Sequence, residues 1–175
     1  MESNKKIKVF LGGTCNGSTW RDELISKLKI DYFNPVVKDW TPECQAEEER
    51  QKNEECKIHL YVITPQQTGV FSAAEMIESS CNKNVITVIY IQYEDGTGFT
   101  FDESRKRSWK AVEKMAQKHG AYTFKSLDLV ALFLNKLQAV ADYSLTETTV
   151  VEEDAYPSNG FDITTTLYCI YNCLY

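Results

Sequence analysis

The stretch IHLYVITPQQTGVFSAAE, residues 58–75, decides how this chain folds. Its first six residues, 58–63, form a nearly continuous apolar run, which is typical of a strand that is covered on both faces. The run breaks at Thr64-Pro65, and a helix is predicted to begin near Ser72 after a short loop. A strand, a loop and a helix in this order are the unit from which parallel α/β sheets are built.

The same alternation of strand and helix continues on both sides of this stretch. The predicted strands are 7–12, 32–37, 58–63, 85–91 and 121–124, and the predicted helices are 18–29, 42–55, 70–81, 104–119 and 126–143. Parallel strands are joined by right-handed connections. Five such units predict an α/β fold, a Rossmann-like (flavodoxin-like) five-stranded parallel sheet in the order 2-1-3-4-5 with helices on both faces.

Composition and charge restrict the kind of protein that this chain can be. It has 175 residues, of which 43% are hydrophobic and 25% charged, enough for one globular domain with a sizeable core. Its formal net charge of -6 argues against a partner that is polymeric nucleic acid, although loop amides and helix N-termini still suit a small anion. The polar N-terminus and the lack of a long apolar run predict a cytoplasmic protein without a membrane segment.

Metal and cofactor chemistry find little support in the sequence. The six cysteines include no CxxC pair, and the spacing of Cys169 and Cys173 is by itself a weak metal signal. His59 and His119 are the two histidines. The loop after the first strand matches neither GxGxxG nor a Walker A motif. The sequence therefore predicts neither a metal site nor a bound cofactor.

The chain changes character after its last predicted helix. Residues 1–143 are predicted to form one α/β domain. Residues 144–175 are rich in Thr, Glu and Tyr and end in the aromatic run LYCIYNCLY. We interpret this segment as a partly ordered tail whose apolar end packs on the domain or on a partner chain. A disordered tail is an equally good interpretation for residues 144–160.

The loop after the first strand is a candidate binding surface, because ligands of open α/β sheets lie beside the carboxyl ends of the strands. Residues 12–21 read GGTCNGSTWR. Glycines let the backbone approach a ligand, and small hydroxyl groups supply hydrogen bonds. An ordinary capped turn explains the same residues equally well. Arg21 either binds an anion or pairs with an acid on the surface, and we favour the surface pair.

Asp39 and Trp40 follow the second predicted strand and belong to the same edge of the sheet. Trp40 either packs under the next helix or forms a wall on which a base stacks, and in the second case Asp39 would bind sugar hydroxyls. The polar helix 42–55 carries many acids, most of which we expect on a solvated face. Glu47 or Glu49 could instead turn inward.

Glu75 is the strongest candidate for chemistry. We expect it in the first turn of the helix after the third strand, beside the mouth that the strand ends form. The helix dipole stabilises an acid at such a position without any catalytic role. The other interpretation is a nucleophile or base for a small molecule. A cysteine nucleophile and a Ser-His-Asp triad are both disfavoured, because neither histidine is expected near Cys15 or at this mouth.

Three stretches, taken in order, resemble the nucleoside 2-deoxyribosyltransferase-like family. The first is FLGGTCNGSTWR at residues 10–21, and the second is FNPVV at residues 33–37, followed by Asp39-Trp40. The third is LYVITP at residues 60–65, followed by Gly69 and by SAAE at residues 72–75. The resemblance covers about residues 7–140.

The resemblance implies a Rossmann-like domain that cleaves N-glycosidic bonds of nucleosides or nucleotides. The catalytic glutamate of the family opens the helix after the third strand, and Glu75 matches that position. It would attack C1′ of the sugar to give a glycosyl-enzyme ester, from which another base or water would take the sugar. The leaving base would need a proton from a second acid, for which Asp39 and Glu49 are candidates. The resemblance also implies a homo-oligomer.

The resemblance further implies where a small-molecule nucleoside or nucleotide would bind. The expected contacts are Gly12, Gly13, Thr14, Cys15, Asn16, Trp20, Trp40, Thr64, Pro65, Gly69 and Ser72.

The chain differs from the family pattern at two places, and the first difference, a missing loop acid, favours an alternative. The best-known transferases carry an aspartate several residues before the glutamate, where this chain has Thr68-Gly69, and relatives often have Cys-Asp where it has Cys56-Lys57. The alternative is a non-catalytic protein that binds a nucleotide or an ADP-ribose-like signal, as a sensor or by sequestering it. A third interpretation is an interaction scaffold whose aromatic tail docks a partner.

Overall fold

The computed structural model describes residues 6–15, 17–94, 96 and 98–144 of the chain, and only the backbone of residues 143 and 144. Its strands form one sheet: β1 (Lys8–Gly13), β2 (Asp31–Phe33), β3 (Ile58–Ile63), β4 (Ile86–Ile91) and β5 (Tyr122–Phe124). All neighbouring strands are parallel, and their order is β2-β1-β3-β4-β5. The flavodoxin-like order that the sequence predicts is confirmed.

Each strand but the last is followed by helical structure that leads to the next strand, and the last is followed by α5. The α-helices are α1 (Trp20–Ile25), α2 (Pro42–Arg50), α3 (Phe71–Cys81), α4 (Glu103–Lys118) and α5 (Leu127–Ser144). A π-helical turn, Gln51–Glu55, continues α2 directly and is called the π turn below. Within the described ranges, every helix is too short or too polar to cross a membrane.

Alternate residues of β3 point to opposite faces of the sheet, and both faces are covered. Ile58, Leu60 and Val62 belong to an apolar cluster with residues of α1 and α5. Tyr61 and Ile63 belong to a second cluster with residues of α3 and α4. This double coverage explains why β3 is a continuous apolar run, and it confirms the prediction of helices on both faces.

Several helix ends follow local signals in the sequence. The side chains of Thr41, Asp102 and Ser126 accept a hydrogen bond from the backbone N–H three residues further on, at 3.3, 2.8 and 3.2 Å respectively. Gly120 takes a positive φ of 98° just after α4, as expected of a glycine that ends a helix. These caps place the starts of α2, α4 and α5 within about two residues of their predicted positions.

β2 and α1 end four residues earlier than predicted. β2 ends at Phe33 instead of residue 37, because Pro35 has no N–H to donate to a neighbouring strand and the next two residues are exposed. α1 ends at Ile25 instead of residue 29, where the chain tightens into hydrogen bonds between residues three apart. Thr19 occupies the N-cap position of α1, but its side chain accepts no capping hydrogen bond.

The predicted tail lies outside the described residues except for residue 144. The division into a domain of residues 1–143 and a tail therefore stays a prediction.

Candidate active site

A cavity of about 530 Å³ opens at the carboxyl end of β1, between the loop after β2, α2, the π turn and the start of α3. This is the edge at which open α/β sheets bind ligands. The lining residues are Phe10, Gly12, Gly13, Cys15, Arg21, Pro35, Trp40, Gln45, Glu48, Glu49, Lys52, Asn53, Phe71, Ser72, Glu75 and Glu78.

About half of the residues proposed from the sequence line this cavity. They are Gly12, Gly13, Cys15, Trp40, Glu49, Ser72 and Glu75. Trp40 is 64% exposed, so it stands at the rim and does not pack under α2. Phe71, which the sequence did not single out, stands at the same rim and is 74% exposed.

The other proposed residues do not line the cavity. Trp20 is buried in the core, and its indole N–H donates to the Thr14 carbonyl at 2.9 Å. Thr64 and Pro65 are buried as well, while Asp39 is exposed outside the cavity. Gly69 lines a second, smaller depression between the loop after β3 and α4. Asn16 lies outside the described residues.

Thr14 and Thr64 support the cavity from behind by fastening two loops together. The Thr14 hydroxyl oxygen accepts from the Thr64 N–H at 2.9 Å, and the Thr14 N–H donates to the Val62 carbonyl at 2.9 Å. Gly13 has a φ of +111°, and a Cβ there would lie 2.0 Å from the Val62 carbonyl oxygen. Only glycine allows the loop after β1 to approach β3 this closely.

Arg21 is buried, and the predicted surface pair is wrong. Its guanidinium donates to the carbonyl oxygens of Leu11 at 3.1 and 3.0 Å, of Thr14 at 2.6 Å and of Gly13 at 3.3 Å. Burial lowers the pKa of Arg21, which the nearby Cys15 thiol and Glu48 partly oppose. The side chain thus holds the loop after β1 in its shape.

Glu75 lies in the second turn of α3 and not in the first, because the helix begins at Phe71 with Val70 at its N-cap. Its carboxylate oxygen Oε1 accepts a hydrogen bond from Lys52 Nζ at 2.8 Å. The two side chains are only 15% and 10% exposed. Glu78, one turn further along α3, lies 3.8 Å from the same ammonium but is mostly exposed. The helix dipole, which acts within the first turn, is therefore a weak explanation for Glu75.

A buried polar chain holds the π turn that carries Lys52. The Lys52 carbonyl can only accept, so the 2.9 Å contact with His59 Nε2 requires a proton on that nitrogen. His59 Nδ1 then accepts from the Ser79 hydroxyl at 2.9 Å, and Ser79 accepts from the Tyr61 hydroxyl at 2.8 Å. The chain links β3 and α3 to the backbone of Lys52 and fixes one neutral tautomer of His59.

Burial keeps the two titratable groups of this hydrogen-bonded series, His59 and Tyr61, in their neutral forms. It lowers the pKa of His59 to about 4, more than the hydrogen bond to the Lys52 carbonyl raises it. Burial also raises the pKa of Tyr61 well above its ordinary range. Both groups therefore stay neutral at physiological pH.

Glu48 projects from α2 into the same cavity. Burial raises the pKa of its carboxyl group, and the negative charge of Glu75 raises it further, while Lys52 and Arg21 act in the opposite direction. Glu47, which the sequence offered as an inward-facing acid, instead pairs with Arg50 at 2.9 Å outside the cavity. That pairing lowers the pKa of Glu47 to about 2.

No cluster of three metal-binding side chains occurs in the part of the chain that the structure describes. The described cysteines, Cys15, Cys44, Cys56 and Cys81, are all free thiols.

Comparison with known families gives a match that covers the elements that build this cavity. Residues 6–93, from the start of β1 to just beyond β4, match the family described as nucleoside 2-deoxyribosyltransferase like. The chain belongs to this family. No curated protein and no solved structure matches the chain. The family supports a catalytic role on nucleosides in general, with small-molecule nucleosides as the class of substrate.

Within this member of the family, sequence reasoning missed three charged residues of the cavity, Glu48, Lys52 and Glu78. Glu48 and Lys52 stand on a segment that is polar throughout, where an inward-facing charge gives no apolar signal. A usable signal was nevertheless present. The lining residues Gln45, Glu48, Glu49 and Lys52 follow the spacing i, i+3, i+4 and i+7, which marks one face of a helix.

Among the described residues, four carboxylates, two cationic side chains and an aromatic rim line the cavity of this nucleoside 2-deoxyribosyltransferase-like protein. The formal charges of these side chains sum to a negative value. Such a lining suits a reaction in which positive charge develops on the substrate.

Proposed function

We propose that this protein cleaves the N-glycosidic bond of a nucleoside or nucleotide, with Glu75 as the nucleophile. The observation that carries the proposal is the position of the Glu75 carboxylate, largely buried in the wall of the cavity and bonded through one oxygen to Lys52. The second oxygen, Oε2, has no hydrogen bond to any described residue. It is the atom that would attack.

The reaction follows the pattern of retaining glycosidases. Glu75 Oε2 forms a bond to C1′ as the bond from C1′ to the base nitrogen breaks, and the electron pair leaves with the base. The base takes up a proton. Water or a second base then attacks C1′ and releases Glu75, which gives hydrolysis or transfer respectively.

The lining of the cavity favours the transition state of this reaction. C1′ becomes positively charged as the base departs, and the excess of carboxylates over cations around the cavity stabilises that charge. Lys52 prevents Glu75 from rotating away, because its own backbone is held by His59.

The size and rim of the cavity suit a nucleoside. Its volume of about 530 Å³ lies within the roughly 300–1,000 Å³ that is usual for small-molecule sites. Trp40 and Phe71 at the rim offer aromatic faces on which a base would stack.

A second candidate function is binding without cleavage. It is favoured by the ion pair itself, because Lys52 occupies one oxygen of the proposed nucleophile, and by the loop residues Thr68 and Gly69, which supply no acid. In this case the cavity would hold a nucleotide or an ADP-ribose-like signal intact.

Base release decides between these functions. The protein is incubated with 2′-deoxynucleosides, nucleoside monophosphates and NAD, with and without an acceptor base, and free base is followed by chromatography. Cleavage is expected from the wild-type protein and from Glu54→Gln, an exposed acid of the π turn outside the cavity. Glu75→Gln is expected to lose it. Tight binding by calorimetry without any base release would favour the binding protein.

We also propose, from the family resemblance, that the chain forms a homo-oligomer. Val70, Phe71 and Trp40 are large apolar side chains that stand exposed at or near the mouth of the cavity, where a second copy would cover them. Light scattering on the full chain and on a chain that ends at residue 144 tests assembly. A monomer at all concentrations contradicts it.

A further inference from the structure

Glu48 differs from the other acids of the cavity in that no residue of the described part of the chain pairs with its side chain. The other three carboxylates are engaged: Glu75 and Glu78 by Lys52, and Glu49 by the side-chain amide of Gln45 at 3.1 Å. Among the described residues, none forms a hydrogen bond or an ion pair with the Glu48 side chain, although that residue is half-buried. Its carboxyl group is therefore free to bond to a ligand.

Glu48 and Glu75 approach the cavity from different elements. Glu48 comes from α2 and Glu75 from α3, and Lys52, four residues after Glu48, forms its ion pair with Glu75. A substrate that offers its C1′ to Glu75 would thus have a second carboxyl group beside it, supplied by a different helix.

We infer that Glu48 is the acid that gives its proton to the departing base. This inference rests on the function proposed above. As the bond from C1′ to nitrogen breaks, the carboxyl proton of Glu48 moves to a nitrogen of the base, and Glu48 becomes a carboxylate. In the second step this carboxylate takes a proton from the attacking water or incoming base, which restores both glutamates.

The charges around Glu48 agree with this role. Burial, Glu75 and Glu49 all raise the pKa of Glu48, against the opposing effects of Lys52 and Arg21. Glu75 in contrast is directly bonded to an ammonium. Two carboxyl groups in unlike surroundings are the usual basis for dividing the roles of acid and nucleophile.

The acids that the sequence offered for this step are less suitable. Asp39 does not line the cavity and is exposed. Glu49 lines it but is exposed and already bonded to Gln45.

Substrates with different leaving bases test the inference. The base of a purine 2′-deoxynucleoside needs a proton in order to leave as a neutral molecule. Its 7-methylated derivative already carries a positive charge on the base, so this base leaves as a neutral molecule without receiving a proton. We expect Glu48→Gln to lower kcat/KM on the first substrate by about 100-fold and on the second by less than about threefold. With the first substrate, the wild type should lose activity at alkaline pH as Glu48 loses its proton, and Glu48→Gln should lack this fall.

Parallel variants separate this inference from the proposed function. Glu75→Gln should lose activity on both substrates equally, and Glu54→Gln should keep its activity on both. An equal loss on both substrates in Glu48→Gln overturns the role of Glu48 while base release by the wild type keeps the proposed function. If instead Glu49→Gln alone loses activity on the unmethylated nucleoside and keeps it on the 7-methylated one, Glu49 is the residue that gives the proton. If the wild-type protein releases no base from either substrate, the proposed function fails and the inference fails with it.

Discussion

The ammonium of Lys52 lies 2.8 Å from Oε1 of Glu75, and both side chains are largely buried in the wall of the cavity. The pair joins the π turn to α3, and its two residues lie 23 positions apart in the sequence. π-helical turns occur often at functional sites, and this one directs a lysine of a polar segment into the cavity. The position of the proposed nucleophile therefore depends on how the π turn is held.

Removing the ammonium should affect both folding and chemistry. Lys52→Met leaves the largely buried Glu75 carboxylate without its partner, so we expect a loss of about 1–3 kcal/mol in the free energy of unfolding. The double variant with Glu75→Gln should be less destabilised than the sum of the two single changes. Urea denaturation gives the free energy of unfolding of the wild type, the two single variants and the double variant. The control is Lys29→Met, which changes an exposed lysine far from the cavity.

His59 should make the protein sensitive to acid. Its pKa is about 4 when folded and 6.5 in the unfolded chain, so only the unfolded state gains a proton as the pH falls between these values. The stabilisation is complete above pH 6.5 and is lost as the pH approaches 4, by at most about 3 kcal/mol. His59→Gln should lack this part of the pH dependence, whereas the exposed His119→Gln should keep it. Identical pH profiles for both variants would contradict the buried neutral histidine.

Glu48 should reduce stability at neutral pH. Because its pKa is raised in the folded state, its contribution is most favourable below the ordinary glutamate range and is lost as the pH rises through the folded value. We therefore expect Glu48→Gln to melt at a higher temperature than the wild type at pH 7, with the difference shrinking at pH 4. A variant that is less stable at pH 7 would show that Glu48 has a stabilising partner instead.

Gly13 should be intolerant of any side chain. Gly13→Ala would place a methyl group 2.0 Å from the Val62 carbonyl oxygen at a φ of +111°, and we expect a loss of roughly 3 kcal/mol in the free energy of unfolding. Gly17→Ala is the matched control, since its φ of +65° is also strained but no atom lies within 4 Å of the added carbon. It should cost only about 1 kcal/mol. Equal losses would refute the close contact with β3.

Much of the fold could be predicted from the sequence because its central strand carries an unambiguous signal. β3 has the bounds that were predicted. All six of its residues are buried, so the strand shows in the sequence as a continuous apolar run that breaks at Thr64-Pro65. β2 was overestimated because Val36 and Val37 look like strand residues, although Pro35 ends the pairing and leaves both exposed.

The candidate site was only partly predictable, because the sequence shows the position of a residue along the chain better than the direction of its side chain. Glu75 could be found because its place after a buried strand fixes it at the sheet edge. Lys52 and Glu48 could not, because a polar residue on a polar helix shows no preference for the inside. Trp20 and Thr14 were assigned to the substrate, but their hydrogen bonds are used to fasten the loop itself.

If Glu75 is the nucleophile, a sugar bound to its side chain can be trapped and detected. The protein is mixed with a 2′-deoxynucleoside, quenched in acid and analysed by intact mass and peptide mapping. We expect a mass increase of one deoxyribosyl group on the peptide that carries Glu75, and neither adduct nor base release in Glu75→Gln. An adduct on another residue, or base release that continues unchanged in Glu75→Gln, would contradict this expectation.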